Sequence, residues 1–460
     1  MDGVLCDELL EEVLRRLPRG RGPSFAASTA ADVSLVSKRW LRLYRSMTSA
    51  LSLRLPQGNS TPHALSSFLS HFPNISSLSL TLDSHRLSVS PDHILLSVAL
   101  SCRKLTHLSL QTLPPNPVSR SSLLSLSSSL LECAGSDSEE SDSEPVGAAS
   151  EGEFDGQLEL ETLSVASASR GRRGDYDDID LDSLWKSCKK LKKLHLDTCW
   201  FDTSTSSFVN CLKGLQEVEL LHYKPVLDVI LPKLVENGAS LNSLLVEHYG
   251  NEPNNGTGLL HFITHSGCHL RKLGVGLPPY GTGLLTAKLL RAVAEKCTGL
   301  SSLGIRCCGM ESAGRLKAMM LAMSNIELEE LALVECALQP GLVTILGRKF
   351  RNLRCLDLSW GLDKVAAEEL TLMLASCNCL RELKLRGNDR WTNAFVVSMS
   401  ESCKQLEILD IIGCSGIDAK SVELMIVNCP QLRRIHVEKR KLSDVSKRWA
   451  SKKLVDVFHR

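Results

Sequence analysis

The sequence carries no excess of charge of one sign, with 53 basic residues against 52 acidic. A nucleic-acid partner held by a global electrostatic field is therefore not expected. No apolar run approaches the roughly 18 residues of a membrane span, so no membrane association is expected. The opening Met1-Asp2-Gly3 lacks a basic n-region, and no secretory signal is expected there. The seventeen cysteines form no C-x-x-C, and the histidines do not cluster at ligand spacing, which argues against a metal site. Phosphate-loop (G-x-x-x-x-G-K-S/T), H-E-x-x-H and G-x-S-x-G motifs are missing as well. The glycines around Gly274-Val-Gly276 do not complete a dinucleotide fingerprint. The chain is expected to be no enzyme and to need no cofactor. At 460 residues it is too long for one core, so it is several domains or a repeat array.

A repeat is present. The segment Cys188-Lys-Lys-Leu191-Lys-Lys-Leu194-His-Leu196-Asp-Thr-Cys199 has the same frame as Cys403-Lys-Gln-Leu406-Glu-Ile-Leu409-Asp-Ile411-Ile-Gly-Cys414. Aliphatic anchors keep that frame down the chain, starting at Ile75, Leu105, Leu160, Leu191, Leu215, Leu241, Leu270, Leu300, Leu328, Leu353, Leu380, Leu406 and Leu432. From Leu191 onward the spacing stays between 24 and 30 residues. The last two anchors of each frame alternate as a short strand requires. A turn and a helical segment follow, as in residues 366–374. One such unit cannot bury its apolar side alone, so stacking of units is required. Cysteines fall at two repeat positions. Cys102, Cys188, Cys297, Cys377, Cys403 and Cys429, with Cys268 beside the same place, precede the first anchor. Cys199, Cys308, Cys336 and Cys414 follow the last. Cysteine there acts as a small buried hydrophobe in a reducing compartment.

A period of this size with this frame resembles leucine-rich repeats of the cysteine-containing class, over about residues 72–440. The resemblance implies an α/β solenoid, with parallel strands on a concave face and helices outside.

In residues 7–17, Leu10, Val13, Leu14 and Leu17 share a helical face. Asp7 and Glu8 at the start and Arg15 and Arg16 at the end suit the helix dipole, and Pro18 closes it. A second helix is expected after Asp32, with Val33, Val36, Trp40 and Leu43 as its stripe. The order Leu5-Cys6-Asp7-Glu8-Leu9-Leu10, Val13-Leu14, Leu17, then Asp32-Val33-Ser34-Leu35-Val36-Ser37-Lys38-Arg39-Trp40 resembles the F-box over about residues 4–50. Cys6 stands where that family has proline, and the loop at 18–31 is longer than usual. The resemblance implies a small all-α domain that binds a Skp-family adaptor on a cullin scaffold. Its matching residues are Leu5, Leu9, Leu10, Val13, Leu14, Leu35, Val36 and Trp40. Some of them meet the adaptor and others form the domain's own core, and the sequence leaves that division open.

On these resemblances the chain is a non-catalytic substrate receptor of a Skp-cullin-F-box ubiquitin ligase, cytoplasmic or nuclear, with an unidentified protein substrate. The alternative is a plain leucine-rich-repeat scaffold. Side chains between the anchors would face the substrate: Lys193, His195, Asp197, Glu217, Glu219, Glu247, Arg306, Glu330, Asp357, Lys384, Arg386, Asp410, Arg434 and His436. Their mixed signs imply recognition by specific pairs. Trp200, Tyr223, Tyr249, Tyr280, Trp360 and Trp391 each follow a last anchor within six residues. They either bind along one rim or plug gaps between turns. Plant hormone receptors of this architecture are longer, and no basic cluster here marks an inositol-phosphate pocket, so no small-molecule ligand is expected.

The expected domains are residues 1–50, a solenoid of about thirteen repeats at 51–440, and a capping segment at 441–460. Residues 135–156 hold eight acids and no Lys or Arg, an insertion expected to stay solvated. Ser136 and Ser141 within it each precede an acid by three residues, as acid-directed phosphorylation prefers. The tail is net basic, and Leu442, Val445, Trp449 and Val457 suggest a helix.

Overall fold

The computed structural model describes residues 6–16, 37–55, 62–83, 98, 101–113, 160–167, 190–197, 212–221, 227–247, 257–276, 287–306, 313–323, 328–389 and 391–459. The chain divides into two compact units: Met1–Tyr223 with Glu236–Ser240, and Lys224–Val235 with Leu241–Arg460.

The first unit opens with helices α1 (Asp7–Arg16) and α2 (Lys38–Met47), which pack on each other. Strand β1 (Ala50–Leu55) and helix α3 (Pro62–Ser70) follow. Then come β2 (Ser77–Asp83), β3 (His107–Leu113), β4 (Thr162–Ser167), β5 (Lys193–Asp197) and β6 (Glu217–Leu221). Each strand pairs parallel with the next, and the register sets equivalent anchors side by side, as in Leu78↔Leu108 and Leu194↔Val218.

The second unit alternates helix and strand. It contains α4 (Leu227–Glu236), β7 (Ser243–Glu247), α5 (Thr257–Ser266), β8 (Lys272–Gly276), α6 (Ala287–Lys296), β9 (Ser302–Arg306), α7 (Ala313–Ala322) and β10 (Glu330–Val334). It continues with α8 (Leu342–Lys349), β11 (Cys355–Asp357), α9 (Ala367–Ser376), β12 (Glu382–Lys384), α10 (Asn393–Ser402), β13 (Ile408–Asp410), α11 (Ala419–Asn428), β14 (Arg434–Val437), α12 (Asp444–Lys453) and β15 (Asp456–His459). Here too every strand runs parallel to its successor. Within each unit strand order is chain order, the topology of an α/β leucine-rich-repeat solenoid.

The anchors explain the stability. Leu191, Leu196, Leu241, Leu353, Leu383, Leu406 and Leu409 are fully buried. Each such leucine contributes about 1.5–3 kcal/mol by leaving water. Helices cover them with residues at helical spacing, such as Leu370, Met373 and Leu374 of α9. The backbone repeats too. Lys192 and Lys193 N–H both donate to Glu161 O, and Arg433 and Arg434 N–H both donate to Glu407 O, so the start of each strand is stitched to the repeat before it.

The cysteine positions carry a further task. Cys336 Sγ donates to Ile305 O at 3.5 Å and Cys414 Sγ to Leu385 O at 3.0 Å. At the other position Cys377 Sγ reaches Phe350 O at 3.9 Å. Cysteine is therefore a small hydrophobe whose thiol also meets a carbonyl of the preceding repeat. Cys268 departs from the set: it lies one residue past the equivalent place, is exposed, and leaves the buried slot to Gly267. Cys188, Cys199 and Cys308 lie outside the described residues.

Two strands extend the array beyond the frames read from sequence. In β1, Leu51 and Leu53 align with Leu78 and Leu80, while Thr48 stands at the first-anchor place. In β15, Val457 aligns with Ile435 and His459 with Val437. Val457 thus belongs to a strand, not to the tail helix, which ends at Lys453.

Candidate functional site

No helix among the described residues is long and apolar enough to cross a membrane. Nor does any group of three or more His, Cys, Asp or Glu stand ready to hold a metal there.

In the first unit, α1 splits its apolar residues. Leu10 and Leu14 point inward at 1% and 4% exposure, while Leu9 and Val13 stand 54% and 42% exposed. Trp40 on α2 is half-buried, and its N–H donates to Ser37 Oγ at the helix start. Arg39 Nε donates to Asp7 Oδ1 at 2.8 Å and joins the two helices. Helix α2 in turn leans on the first repeat: Asn74 Nδ2 donates to Ser46 O at 2.8 Å, and the Arg45 guanidinium lies 6.0 Å from the Phe72 ring centre. Leu5, Leu35 and Val36 lie outside the described residues.

The strands of this unit turn His195, Asp197, Glu217 and Glu219 to the half-exposed face because their neighbours Leu194, Leu196, Val218 and Leu220 are drawn inward. His195 Nδ1 meets Glu219 Oε2 at 2.6 Å, and Lys193 Nζ meets Glu217 Oε1 at 2.8 Å. The hydrogen bond from His195, with the charges of His195 and Lys193, holds the Glu219 carboxyl below the usual range against the opposing effect of burial. Trp200 and Tyr223 lie outside the described residues.

The second unit has two groups of sheet-face residues. Near its start, Glu247 leans over Gly276 and approaches Arg306 to 3.7 Å, so the ion pair skips a strand. Glycine permits this, since a Cβ on Gly276 would lie 2.6 Å from Glu247 Cγ. Further on, Asp410 is buried and held by Arg386, whose Nε donates to it at 2.7 Å. His436 Nδ1 stands 3.8 Å from the same oxygen. Lys384 meets Glu382 at 2.6 Å. Burial pulls the Lys384 ammonium down, but Glu382, Asp357 and Asp410 outweigh it and hold the group above its ordinary value. Many of the charges expected to face a substrate are therefore paired with one another, most across strands and Lys384 within its own. Tyr249, Tyr280, Ser136 and Ser141 lie outside the described residues.

The two described rim aromatics part company. Trp391 is 1% exposed, its ring 4.3 Å from that of Phe395, and its indole N–H finds no partner among the described residues. It fills the interior. Trp360 is 52% exposed and has φ +61°. The left-handed region costs a residue other than glycine about 1–2 kcal/mol. Glu335 (φ +55°), Gly387 (φ +65°) and Gly413 (φ +79°) take the same conformation just past neighbouring strands.

Phe458 was missed in the sequence. It stacks on His436 at 5.0 Å, lies 5.3 Å from the Arg434 guanidinium, and is 48% exposed. Its register with His436 would have revealed it once the tail was read as a strand.

Frame, register and covering helices define an α/β leucine-rich-repeat solenoid with a half-exposed sheet face. No protein-family model matches the chain. Among solved structures it is similar to a chain of the Rad7 and Elc1 complex in yeast, at 17% identity over 99% of this chain and 93% of that one, with a TM-score of 0.46. It is also similar to the leucine-rich-repeat-containing protein LegL7 from Legionella pneumophila, at 13% identity over 54% of this chain and 85% of that one, with a TM-score of 0.40. Likeness at this level transfers no function.

Proposed function

We propose that this chain is the substrate-recognition subunit of a Skp-cullin-F-box ubiquitin ligase. In this reading α1 and α2 dock a Skp-family adaptor, and the repeats hold the protein to be modified. The chain itself performs no chemistry; it supplies proximity and orientation while partner subunits transfer ubiquitin. The observation that carries the reading is the divided face of α1. Leu10 and Leu14 already satisfy the helix's own packing, so Leu9 and Val13 remain as an apolar pair in water. Each is about half exposed, so covering the pair is favourable by roughly 0.7–1.5 kcal/mol per side chain before the cost of association.

A second reading has its own support. The Asn74–Ser46 hydrogen bond and the Arg45–Phe72 contact fit α2 as a cap on the first repeat of a plain scaffold. Co-purification with a Skp-family adaptor separates the two. Replacing Leu9 and Val13 together by Glu should abolish adaptor binding while circular dichroism and Tm stay unchanged. Replacing Leu10 by Ala should instead lower stability. Failure of the wild-type chain to co-purify an adaptor sinks the ligase reading and favours the cap, and adaptor binding that survives the double Glu variant rules out the exposed face of α1 as the docking site.

A further inference from the structure

The Trp360 side chain is placed unlike any other described aromatic. A Cβ built on Gly387 would fall 1.9–2.3 Å from indole carbons Cε3, Cζ3 and Cδ2, and one on Gly413 would fall 3.5 Å from Cη2. The indole therefore lies across the bare backbone of the next two rim turns. One of its faces rests on glycine, and half of the side chain remains open to water. The backbone there is closely tied: Glu335 N–H donates to Ser359 O, Trp360 N–H to Arg386 O, and Gly387 N–H to Ile412 O. Chain segments so constrained keep a strained left-handed tryptophan in one place.

Carboxylates flank it on both sides. The register Ala332↔Asp357 extends to set Glu335 beside Trp360 at the rim, one strand spacing of about 4.8 Å away. On the far side, Asp389 is exposed and accepts the Ser415 N–H at 3.3 Å, next to Gly413. Glu438 Oε1 accepts the Gly413 N–H at 3.1 Å. The nearby cations are engaged: Lys441 is buried against Glu438 and Cys414 O, Arg440 approaches Glu438 Oε1 to 3.7 Å, and Arg386 is held by Asp410. An electron-rich face flanked by carboxylates favours a positive, flat group above it.

We propose that the Trp360 indole is a recognition platform for a cationic side chain, arginine foremost, of the captured protein. This rests on the repeats being a protein-binding surface. It is independent of what α1 and α2 dock, so the adaptor experiment and the one below fail separately.

The full chain labelled with 5-fluorotryptophan provides the test. It carries six tryptophans, and the Trp360 resonance is the one missing in Trp360→Gly. Three blocked pentapeptides serve as probes: Gly-Ser-Arg-Ser-Gly, the same peptide with citrulline, and the same with proline. The Trp360 resonance should shift with the arginine peptide, at an affinity about three- to ten-fold above the citrulline peptide. Glu335→Gln with Asp389→Asn should reduce that preference to near one. Equal response to all three probes, preference for proline, or a preference indifferent to the acid substitutions overturns the proposal. Trp360→Gly adds a second check. Glycine removes about 1–2 kcal/mol of left-handed strain at φ +61°, which offsets much of the contact that the inner face of the indole gives up, so Tm should change by no more than about a few degrees. A clear fall in Tm would assign Trp360 to packing and overturn the proposal as well.

Discussion

Asn388 offers a sharp test of how the repeats are held together. It is 2% exposed. Its Nδ2 donates to Leu385 O at 2.8 Å and Arg386 O at 3.2 Å, and lies 3.5 Å from Leu358 O. Its Oδ1 accepts the Leu362 N–H at 3.2 Å. Replacement by Ala does not strand all of these groups. Leu385 O keeps the Cys414 thiol at 3.0 Å, and Arg386 O keeps the Trp360 N–H at 2.8 Å. Leu362 N–H loses its acceptor in a buried site, which costs about 1–3 kcal/mol, and the lost donor bonds add about 1 kcal/mol. Asn388→Ala should thus destabilise by about 2–4 kcal/mol, read from urea unfolding followed by tryptophan fluorescence. Asn388→Cys should cost about 1 kcal/mol less, because Cys336 and Cys414 show that a thiol at this repeat position reaches the preceding carbonyl. Asn388→Ala with Cys414→Ala should exceed the sum of the single effects, since Leu385 O then loses both partners. An Ala variant within about 0.5 kcal/mol of wild type, or a Cys variant no better than Ala, refutes the reasoning.

Thiol reactivity should follow burial. Burial pushes Cys297 and Cys403 up to about 12 and Cys102, Cys377, Cys414 and Cys429 up to about 11. A raised pKa keeps the thiol protonated, so at pH 8 only about a thousandth or less is thiolate. Iodoacetamide and peptide mapping should find Cys6, Cys268 and Cys379 modified in the native protein and those six protected until denaturant is added. Gly276→Ala should cost about 1–3 kcal/mol by driving Glu247 aside, and Glu247→Ala should relieve most of that cost. A double-mutant cycle with no coupling between them would contradict the strand-skipping ion pair.

Much of the fold was legible because the anchors obey a local rule and a global one at once. Leu409 alternates with its neighbours as a strand residue, and the same alternation sends it into the core. The ends were less legible. Thr48 replaces an aliphatic anchor at β1, and His459 replaces one at β15. Leu454 keeps the register position but not the environment: it closes α12 with φ +58° and is 86% exposed. A pattern reader sees leucine there and cannot see the turn. The sheet-face residues were found by alternation alone, yet their pairing was not, because Arg386 and Asp410, 24 residues apart in sequence, meet only through the register that sets Lys384 beside Asp410. Trp360 and Trp391 looked equivalent in sequence, and a difference of backbone conformation and depth separates them.

That separation bears on where function sits. The rim position after the strand requires a left-handed residue at four successive repeats, and glycine meets the requirement without strain at 387 and 413. Glu335 meets it at a cost that its exposed side chain does not regain, and Trp360 regains only what the one face resting on glycine supplies, its other face being left in water. A residue that breaks a local rule and is not repaid by burial is a candidate for what the surface does, whereas the anchors and Asn388 break none and account for the scaffold. The same logic singles out Leu9 and Val13 on α1, apolar side chains left in water beside Leu10 and Leu14 that are not. Binding is therefore best sought at these two separate places, each testable without disturbing the repeats that carry it.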